Sequence, residues 1–358
     1  MKRIVVTGGA GYVGHKLVPA LLEAGYAVTV YDTLWFGWRL GKVFNGDLLK
    51  VVQGDIRDTP RLAVEFKGAW AVIHMACISN DPSFELDESL SRTINYEAFE
   101  PMVVAARTAG VERFIYASSS SVYGISDAPD VREDHPLVPI TLYNTYKAKC
   151  EPILWKYPLM CSTVLRPSTI CGYSPRQRLD LAVNILTNLA VNTGKILVHG
   201  GKQKRPNLHI DDMVSAYLAV LEAPVSKVWG RTFNVGATNQ TIDELAELVK
   251  ETVEGYIGKF GASIAIKHTN TVDHRSYQVN SDTIRDVLGF KPRWTVKDAI
   301  CDLCAAFRNG KIPNAMTDDN YYNVKRMRAV WEDVYKNAPA MKFDPTKGHL
   351  SEIDLLHR

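Results

Sequence analysis

The chain has 358 residues, of which 46% are hydrophobic and 23% charged, and its formal net charge is +3. This balance is typical of a globular protein with a large core and excludes a disordered chain. The small net charge, without a basic run interleaved with aromatic residues, argues against nucleic-acid binding. Because the chain starts directly with a strand and no apolar stretch is long enough to span a membrane, we expect a cytoplasmic protein without a signal peptide or membrane contact.

The first predicted strand, Ile4 to Val6, runs into a glycine-rich turn that ends at Gly14. Gly8 allows the tight turn, Gly11 lets backbone N–H groups approach a pyrophosphate, and Gly14 lets the next helix pack closely on the strand. Phosphates are favoured at the start of that helix, where unpaired N–H groups and the macrodipole attract anions. The segment predicts the first βαβ unit of a dinucleotide-binding fold.

A second predicted strand, 27–31, ends at Asp32. An acidic residue at this place accepts hydrogen bonds from the ribose diol of an adenosine, about 20 residues after the glycines. Its charge would repel a 2′-phosphate, so NAD is favoured over NADP. The alternative is a glycine-rich turn followed by a solvated aspartate, but the strand, helix and strand context favours the cofactor site.

Strand-like and helical patterns continue to alternate through the first half of the chain. We predict strands at 51–53, 69–74, 113–117 and 162–165, and helices near 59–66, 88–109 and 141–157. This alternation predicts an α/β fold, a parallel sheet with helices on both faces. Ligands are expected at the carboxyl ends of the strands, where polar residues follow.

The alternation is lost after about residue 167, and connections rich in proline and glycine follow. We therefore predict a Rossmann-type, doubly wound parallel sheet over 1–167, which binds NAD. A smaller, mixed C-terminal substrate-binding region is predicted over 168–342 and can interleave with the first. Residues 343–358 are expected to form a peripheral tail, since chain ends are commonly poorly tied to the core.

Six cysteines are scattered along the chain, a usage typical of a reducing compartment. Cys301 and Cys304 form one CxxC motif inside a predicted helix, without a second pair or a nearby histidine. Burial on one helix face is therefore favoured over zinc or redox chemistry, and no metal site is predicted.

Tyr143 and Lys147 stand four residues apart in a predicted helix, so both side chains share one face. A free phenol has a pKa of about 10 and is a poor base at neutral pH, but a nearby ammonium and an oxidised nicotinamide both favour the phenolate. The alternative is a surface Tyr–Lys pair. A run of four serines, 118–121, ends the fifth predicted strand and brings hydroxyl groups to the same edge of the sheet, although serine runs also form plain turns.

With these motifs in this order, the chain resembles the extended short-chain dehydrogenase/reductase family over about residues 1–305. More narrowly, it is similar to the nucleotide-sugar epimerases and dehydratases. The resemblance implies NAD as the cofactor and a nucleotide-diphosphate sugar as the substrate. It also implies a homodimer formed through the helices near 88–109 and 141–157.

The resemblance makes Tyr143 the acid/base, makes Ser119 the hydroxyl group that holds the reacting oxygen, and has Lys147 bind the nicotinamide ribose. Asn95 matches a helical asparagine of the family with a structural role. The implied cofactor contacts are Gly8, Gly11, Tyr12, Val13, Asp32, Asp55, Ile56, Met75, Ala76, Tyr143, Lys147 and Pro167. The implied substrate contacts are Ser79, Ser119, Ser120, Thr169, Arg205 and Arg275. Arg205 and Arg275 match arginines that grip the pyrophosphate, for which a guanidinium fork is suited; a surface salt bridge is the alternative for each.

Two departures from the family pattern bear on the reaction. Thr169 stands where the family usually places an asparagine that contacts the substrate phosphate. Ser120 and Ser121 stand where 4,6-dehydratases carry an Asp–Glu pair, and elimination of water needs such a general acid and base. Dehydration is therefore disfavoured.

The expected function is an NAD-dependent nucleotide-sugar epimerase that acts through a transient 4-keto sugar. An NAD-dependent 4-dehydrogenase or reductase that releases the keto form of a nucleotide-linked hexose or heptose stays open. A non-catalytic dinucleotide-sensing protein is the alternative of another class, but such proteins commonly lack the Tyr–Lys pair that Tyr143 and Lys147 form here.

Overall fold

The computed structural model describes residues 1–41, 47–257, 263–270 and 276–331. Within these ranges the strands are β1 (Arg3–Thr7), β2 (Ala27–Asp32), β3 (Leu49–Gln53), β4 (Ala71–His74), β5 (Arg113–Ala117), β6 (Cys161–Pro167), β7 (Thr169–Cys171), β8 (Lys195–His199), β9 (Lys204–His209), β10 (Arg231–Val235), β11 (Thr238–Thr241) and β12 (Ala265–Thr269).

The helices of the same ranges are α1 (Gly14–Glu23), α2 (Thr59–Phe66), α3 (Asp81–Phe84), α4 (Glu88–Arg92), α5 (Phe99–Thr108), α6 (Leu142–Trp155), α7 (Ala182–Thr193), α8 (Ile210–Glu222), α9 (Val225–Val228), α10 (Ile242–Ile257), α11 (Asp282–Leu288), α12 (Val296–Arg308) and α13 (Asn323–Val330). A π turn covers Thr93–Glu97, and 3₁₀ turns cover Ser120–Tyr123 and Asp319–Tyr321. None of the described helices combines the length and the apolar composition that a bilayer crossing requires.

Seven of the described strands form one sheet in the order β10-β6-β5-β4-β1-β2-β3. The strand order reverses between β1 and β4, which pair in parallel, and β1 also pairs in parallel with β2. In doubly wound sheets, ligands bind outside the carboxyl ends of the strands at such a reversal. The predicted Rossmann-type sheet is confirmed.

Two smaller sheets supply the mixed part of the fold. Among the described strands, β7 pairs in parallel with β9, and β11 pairs antiparallel with β9. A parallel pair of β8 and β12 forms the other small sheet. Sequence patterns missed β10 as the seventh strand of the large sheet, because it follows the loss of regular alternation.

The chain forms two compact units that interleave in sequence. Unit one comprises the described residues of Met1–Tyr116, Thr141–Ser162 and Tyr322–Arg358, and unit two those of Ala117–Ile140 and Thr163–Tyr321. The assignment of 1–167 to the cofactor and 168–342 to the substrate stays a prediction. The predicted tail, 343–358, lies outside the described residues.

Each unit has its own buried core. In unit one, β1 is fully buried at Ile4, Val5 and Val6, as its run of branched apolar residues predicts. In unit two, α7, α10 and α12 pack together around residues such as Leu245 and Ile300, neither of which is exposed. Truncation of such a side chain to alanine typically costs about 2–5 kcal/mol.

The predicted helix near 88–109 is interrupted in the structure. Helices α4 and α5 are separated by the π turn, which carries Asn95. Asn95 Nδ2 donates to the carbonyl of Ile78 (2.9 Å) and Asn95 Oδ1 accepts from the Ile78 N–H group (2.8 Å). This side chain therefore anchors the segment that follows β4, which is a structural role.

Both cysteines of the CxxC motif lie on α12, as predicted. A capping box of Thr295 and Asp298 starts this helix. Cys304 is buried, and burial raises the pKa of its thiol to about 12. Because metal ligation and redox chemistry use the thiolate, this environment favours an ordinary core position.

Candidate active site

The glycine-rich turn joins the end of β1 to the start of α1 and approaches Met75 and Ala76, the two residues that follow β4. The Gly8 N–H group donates to the Tyr31 carbonyl (2.9 Å), and Gly8 has a φ of +76°. A Cβ added at Gly8 would lie 2.5 Å from the backbone nitrogen of Ala76. A side chain has no room here, and the turn therefore brings two predicted cofactor residues, Gly8 and Ala76, into contact.

The turn is less crowded at Gly11 than at Gly8. Among the described residues other than its chain neighbours, a Cβ built at Gly11 would contact only the Gly8 carbonyl oxygen, at 3.1 Å. Helix α1 begins three residues later, at Gly14. An open backbone surface at a helix N-terminus suits a phosphate group, so this part of the chain fits the pyrophosphate of a dinucleotide.

Asp32 is held in place beside that turn by two backbone N–H groups. Its Oδ2 accepts from Ala10 (3.0 Å) and its Oδ1 from Leu34 (2.8 Å). These two bonds orient the carboxylate, and carboxylate oxygens are the acceptors that ribose hydroxyls require. The position fits the predicted role.

Asp55 forms a nearly buried ion pair with Arg57. Arg57 donates from Nη2 to Oδ2 (2.6 Å) and from Nε to Oδ1 (2.9 Å), and a third bond joins Arg57 to Thr93 Oγ1 (3.2 Å). Sequence reasoning named Asp55 and Ile56 but missed Arg57, although the charge pair two residues apart was a visible signal. Removing one partner of a buried pair typically costs about 3–5 kcal/mol.

Tyr143 is the second residue of α6, and Lys147 lies one turn further along. Thr141 caps this helix by accepting from the Asn144 N–H group (3.3 Å). Tyr143 therefore lies in the first turn of a capped helix. The predicted placement of both side chains on one helix is confirmed, while their roles stay predictions.

Lys147 is 3% exposed, and its Nζ lies 5.0 Å from the centre of the Tyr116 ring. Burial, and to a smaller extent the Lys147 charge, holds the pKa of His74 well below its ordinary value. Neutral His74 is hydrogen-bonded through Nδ1 to Thr7 Oγ1 (2.7 Å). The buried Lys147 side chain therefore lies against the Tyr116 ring of β5.

The predicted catalytic serine, Ser119, caps the short turn Ser120–Tyr123. Its Oγ accepts from the Ser121 N–H group (3.2 Å) and is hydrogen-bonded to Ser121 Oγ (2.7 Å). Ser119 is half-buried, whereas Ser120 is only 1% exposed. Ser119 and Ser120 therefore both belong to a short turn that Ser119 stabilises by its hydrogen bonds to Ser121.

Tyr123, which follows the serines, is fully buried, whereas Tyr143 is half-buried. Burial raises the pKa of Tyr123 to about 12. Its hydroxyl group accepts from Arg166 Nη1 (2.7 Å) and donates to Asn234 Oδ1 (2.7 Å). A phenol held neutral in this way is unsuited to proton transfer at neutral pH.

Two predicted substrate residues, Thr169 and Arg205, lie in the small sheet of β7, β9 and β11. Thr169 is paired with Asn207, and Arg205 precedes Asn207 by two residues on β9, so the three share one face of the sheet. Asn207 is fully buried, and its Oδ1 has no hydrogen-bond partner among the described residues. Sequence reasoning missed this amide, whose signal was a polar residue inside a buried strand.

One cluster of ligand-type side chains lies elsewhere in unit two. His209, Asp211 and Asp302 bring ligand atoms within 4.8 Å of one another. His209 Nδ1 accepts from the Asp211 N–H group (3.1 Å), so a neutral ring carries its proton on Nε2, which faces Asp302 at 3.4 Å. A metal at Nε2 would remove this cap from α8, and we therefore interpret the cluster as a helix cap.

The predicted site residues are distributed as follows. Those in the first unit are Gly8, Gly11, Tyr12, Val13, Asp32, Asp55, Ile56, Met75, Ala76, Ser79, Tyr143 and Lys147. Those in the second unit are Ser119, Ser120, Pro167, Thr169 and Arg205. Arg275 lies outside the described residues. Of the described set, Tyr12, Ile56, Ser120, Lys147 and Arg205 are buried and the others are half-buried.

Curated relatives are similar over most of the chain. A UDP-glucose 4-epimerase from Mycolicibacterium smegmatis is 31% identical, over 86% of this chain and 99% of its own length. A dTDP-D-glucose 4,6-dehydratase from Mus musculus is 32% identical, over 70% of this chain and 74% of its own length.

Solved structures share the fold. A UDP-glucuronic acid 4-epimerase from Bacillus cereus matches with a TM-score of 0.75 at 23% identity, over 86% of this chain and 99% of its own. A dTDP-glucose 4,6-dehydratase from Streptomyces venezuelae matches with a TM-score of 0.76 at 23% identity, over 89% of this chain and 98% of its own.

The sequence profile of the NAD dependent epimerase/dehydratase family matches residues 4–236. The glycine-rich turn, Asp32, and the helix with Tyr143 and Lys147 all lie inside this range. The expectations of an extended short-chain dehydrogenase/reductase enzyme and of NAD as its cofactor are confirmed, which leaves the non-catalytic alternative without support. The chain belongs to the NAD dependent epimerase/dehydratase family.

Proposed function

We propose that the protein is a nucleotide-sugar 4-epimerase that works through a transient 4-keto sugar. Relatives named UDP-glucose 4-epimerase and dTDP-D-glucose 4,6-dehydratase share its family. The names of both classes refer to position 4 of the sugar. The residues suited to chemistry at this carbon, Tyr143 and Lys147, lie on one helix, with Tyr143 in its first turn.

The observation that carries the proposal against a dehydratase is the identity of residues 120 and 121. Both are serines, and both are buried in the turn that Ser119 caps. Eliminating water across C5 and C6 needs a general acid and a general base next to the catalytic hydroxyl residue. A serine hydroxyl supplies neither at neutral pH, so the reaction stops at oxidation and reduction.

The first unit contains the groups that would hold NAD. The open backbone at Gly11 would face the pyrophosphate, the Asp32 carboxylate would accept from the adenosine ribose, and Lys147 would bind the nicotinamide ribose. When bound, NAD⁺ would supply a hydride acceptor for the sugar carbon and, once reduced, a hydride donor. The two neighbours from Bacillus cereus and Streptomyces venezuelae have NAD in their structures, which supports this assignment.

We assign the proton transfer to Tyr143. As a phenolate it accepts the proton of the C4 hydroxyl group while the C4–H bond breaks, and it returns that proton when the keto sugar is reduced on its other face. Ser119 donates a hydrogen bond to the reacting oxygen. The Lys147 cation and the start of α6 stabilise the phenolate by charge and by dipole. The cycle has no net oxidation, as epimerisation requires.

Arg205 is the proposed anchor for the substrate pyrophosphate, and Arg275 the second one. Arg205 is on the same face of its sheet as Thr169, the residue that replaces the usual asparagine. Holding a remote diphosphate fixes C4 against the reacting groups, and this lowers the entropic part of the barrier. The neighbour from Bacillus cereus has UDP-glucuronic acid bound, so a nucleotide sugar with an anionic diphosphate is the substrate class we propose.

The proposal is tested by incubating the protein and NAD⁺ with UDP-, GDP-, CDP- and dTDP-sugars, while absorbance of reduced nicotinamide is followed and the product sugar is identified. An epimerase gives a small, transient signal and a sugar inverted at C4. Stoichiometric NADH with a released keto hexose or heptose supports the dehydrogenase alternative. Appearance of a 4-keto-6-deoxy sugar contradicts the argument from Ser120 and Ser121.

We also propose that the protein is a cytoplasmic homodimer. Apolar side chains are exposed on α5 and α6, the helices that the family resemblance assigns to the dimer: Val104 is 40% exposed, and Leu142 and Trp155 are each 39% exposed. Free cysteines agree with a reducing compartment. Light scattering coupled to size-exclusion chromatography measures the mass, and a Trp155→Glu variant is expected to shift it towards the monomer.

A further inference from the structure

Helix α13 and the residue after it, Trp331, lie beyond the segment that the family profile matches and belong to unit one. We call Asn323–Trp331 the C-terminal strap. Asn323 Nδ2 donates to Ser79 Oγ (2.8 Å), and Arg326 Nε donates to the Trp35 carbonyl (2.7 Å). Trp331 Nε1 donates to Asp87 Oδ2 (3.0 Å). The strap therefore binds segments that follow two different strands, β2 and β4.

The contact with Trp35 reaches the loop after the predicted ribose ligand. Asp32 Oδ1 accepts from the Leu34 N–H group, and Trp35 is the next residue. Leu34 has a positive φ of 57°, a backbone conformation that residues other than glycine rarely adopt. Arg326 holds the carbonyl that follows this turn, and so it holds the loop on the adenosine side of the site.

The contact with Ser79 reaches a strained part of the backbone. Asn80 has φ of +80° and ψ of 154°, a region that is essentially restricted to glycine. Such conformations persist only when the surrounding structure imposes them, and they cluster at functional sites. On one side of Asn80, Asn323 holds Ser79. On its other side, Asp81 accepts from the Thr141 hydroxyl group.

Thr141 is the N-cap of α6, the helix that carries Tyr143 and Lys147. A second contact ties the same elements, because the Phe84 and Tyr146 rings stack with their centres 5.6 Å apart. Helix α3, which contains Asp81 and Phe84, is therefore bonded to the first turn of α6 and packed against its second. If Ser79 moved, α3 would therefore shift and would displace the start of α6 with it.

We propose that the C-terminal strap positions both ends of the dinucleotide site. Arg326 sets the loop that follows Asp32, and Asn323 sets the start of α6, and with it Tyr143, through Ser79, Asp81 and Thr141. Asn323 and Arg326 are positioning residues, since neither touches a reacting group. The part that concerns Tyr143 rests on the proposed function, whereas the part that concerns cofactor affinity does not.

The test compares Asn323→Ala and Arg326→Ala with Arg328→Ala, an exposed arginine on the same helix. Loss of the bond from the Arg326 guanidinium is expected to weaken NAD⁺ binding about tenfold, as measured by titration calorimetry. Asn323→Ala is expected to lower kcat about tenfold with little change in KM, and to move the acid limb of the pH–rate profile to higher pH. Arg328→Ala is expected to stay within about twofold of wild type in both measurements.

A double-mutant cycle separates positioning from general destabilisation. If Asn323 acts through Thr141, the double variant Asn323→Ala/Thr141→Ala turns over no more slowly than Thr141→Ala alone. The proposal is overturned if the kcat losses of Asn323→Ala and Thr141→Ala multiply in the double variant. It is also overturned if Arg326→Ala and Arg328→Ala lose NAD⁺ affinity equally. If Asn323→Ala does not fold, the affinity comparison at Arg326 still decides it. If the wild-type protein converts no nucleotide sugar, the proposed function fails, while that same affinity comparison still tests the strap.

Discussion

Gly8 is the position in the glycine-rich turn where a methyl group should be most costly. In Gly8→Ala the new Cβ would lie 2.5 Å from the nitrogen and 2.7 Å from the Cα of Ala76, at a φ of +76°. The left-handed conformation costs an alanine about 1–2 kcal/mol. Forcing apart two backbone segments in a packed region adds about 1–3 kcal/mol. The free energy of unfolding is therefore expected to fall by about 2–5 kcal/mol.

Gly25→Ala is the matched control, because Gly25 has a similar φ of +84° and its added Cβ would contact no described residue beyond its chain neighbours. It should lose only the conformational part, about 1–2 kcal/mol. Equilibrium urea unfolding measures both variants, and titration calorimetry measures their NAD⁺ affinity. We expect at least a tenfold loss of affinity in Gly8→Ala, since Ala76 must move, and none in Gly25→Ala. Equal losses of stability and affinity in the two variants would refute the reasoning.

Three further predictions concern the proposed acid/base, the stability contributed by a buried histidine, and the choice of cofactor. Tyr143→Phe is expected to lower kcat by about 10²–10⁴-fold in steady-state assays. The control, Tyr146→Phe on the same helix, should keep most of its activity. Similar losses of kcat in both variants would argue against Tyr143 as the acid/base. Because the pKa of His74 is held well below its ordinary value, the folded state binds fewer protons there than the unfolded state does. Stability should therefore fall as the pH drops below about 6.5, and urea unfolding of His74→Gln should show a shallower pH dependence; an unchanged dependence would contradict this. Asp32→Asn should narrow the preference for NAD⁺ over NADP⁺, as competitive binding assays can measure, and an unaltered ratio would remove Asp32 from the ribose site.

The parts of the site that sequence patterns predicted are those encoded within a few residues. The turn at Gly8, the carboxylate of Asp32 and the helical pair Tyr143 and Lys147 each depend on a local conformation. A positive φ selects glycine, and the helical period places residues four apart on one face, so both are visible in a short stretch of sequence. The structure confirms these local placements, and the family match confirms the enzyme class and its cofactor.

The residues that sequence patterns missed act through partners elsewhere in the fold. The charge pair of Arg57 with Asp55 was visible in the sequence, but its burial and the bond from Arg57 to Thr93, 36 residues away, were not. Asn207 is a candidate site residue only because the structure shows that its buried Oδ1 has no described hydrogen-bond partner and that it pairs with Thr169 in the small sheet. The break of the predicted helix near 88–109 at Asn95 likewise accompanies a bond to Ile78, which precedes it by 17 residues.

The sequence alone therefore specified a doubly wound α/β fold, a glycine-rich turn and a helix that carries Tyr143 and Lys147. Each of these follows from short-range steric limits and from the periodicity of apolar residues. Only the tertiary structure decided that α13 bonds the segment after β4, since Asn323 and Ser79 are 244 residues apart. A contact of that separation depends on how every intervening element packs, and no local pattern records it.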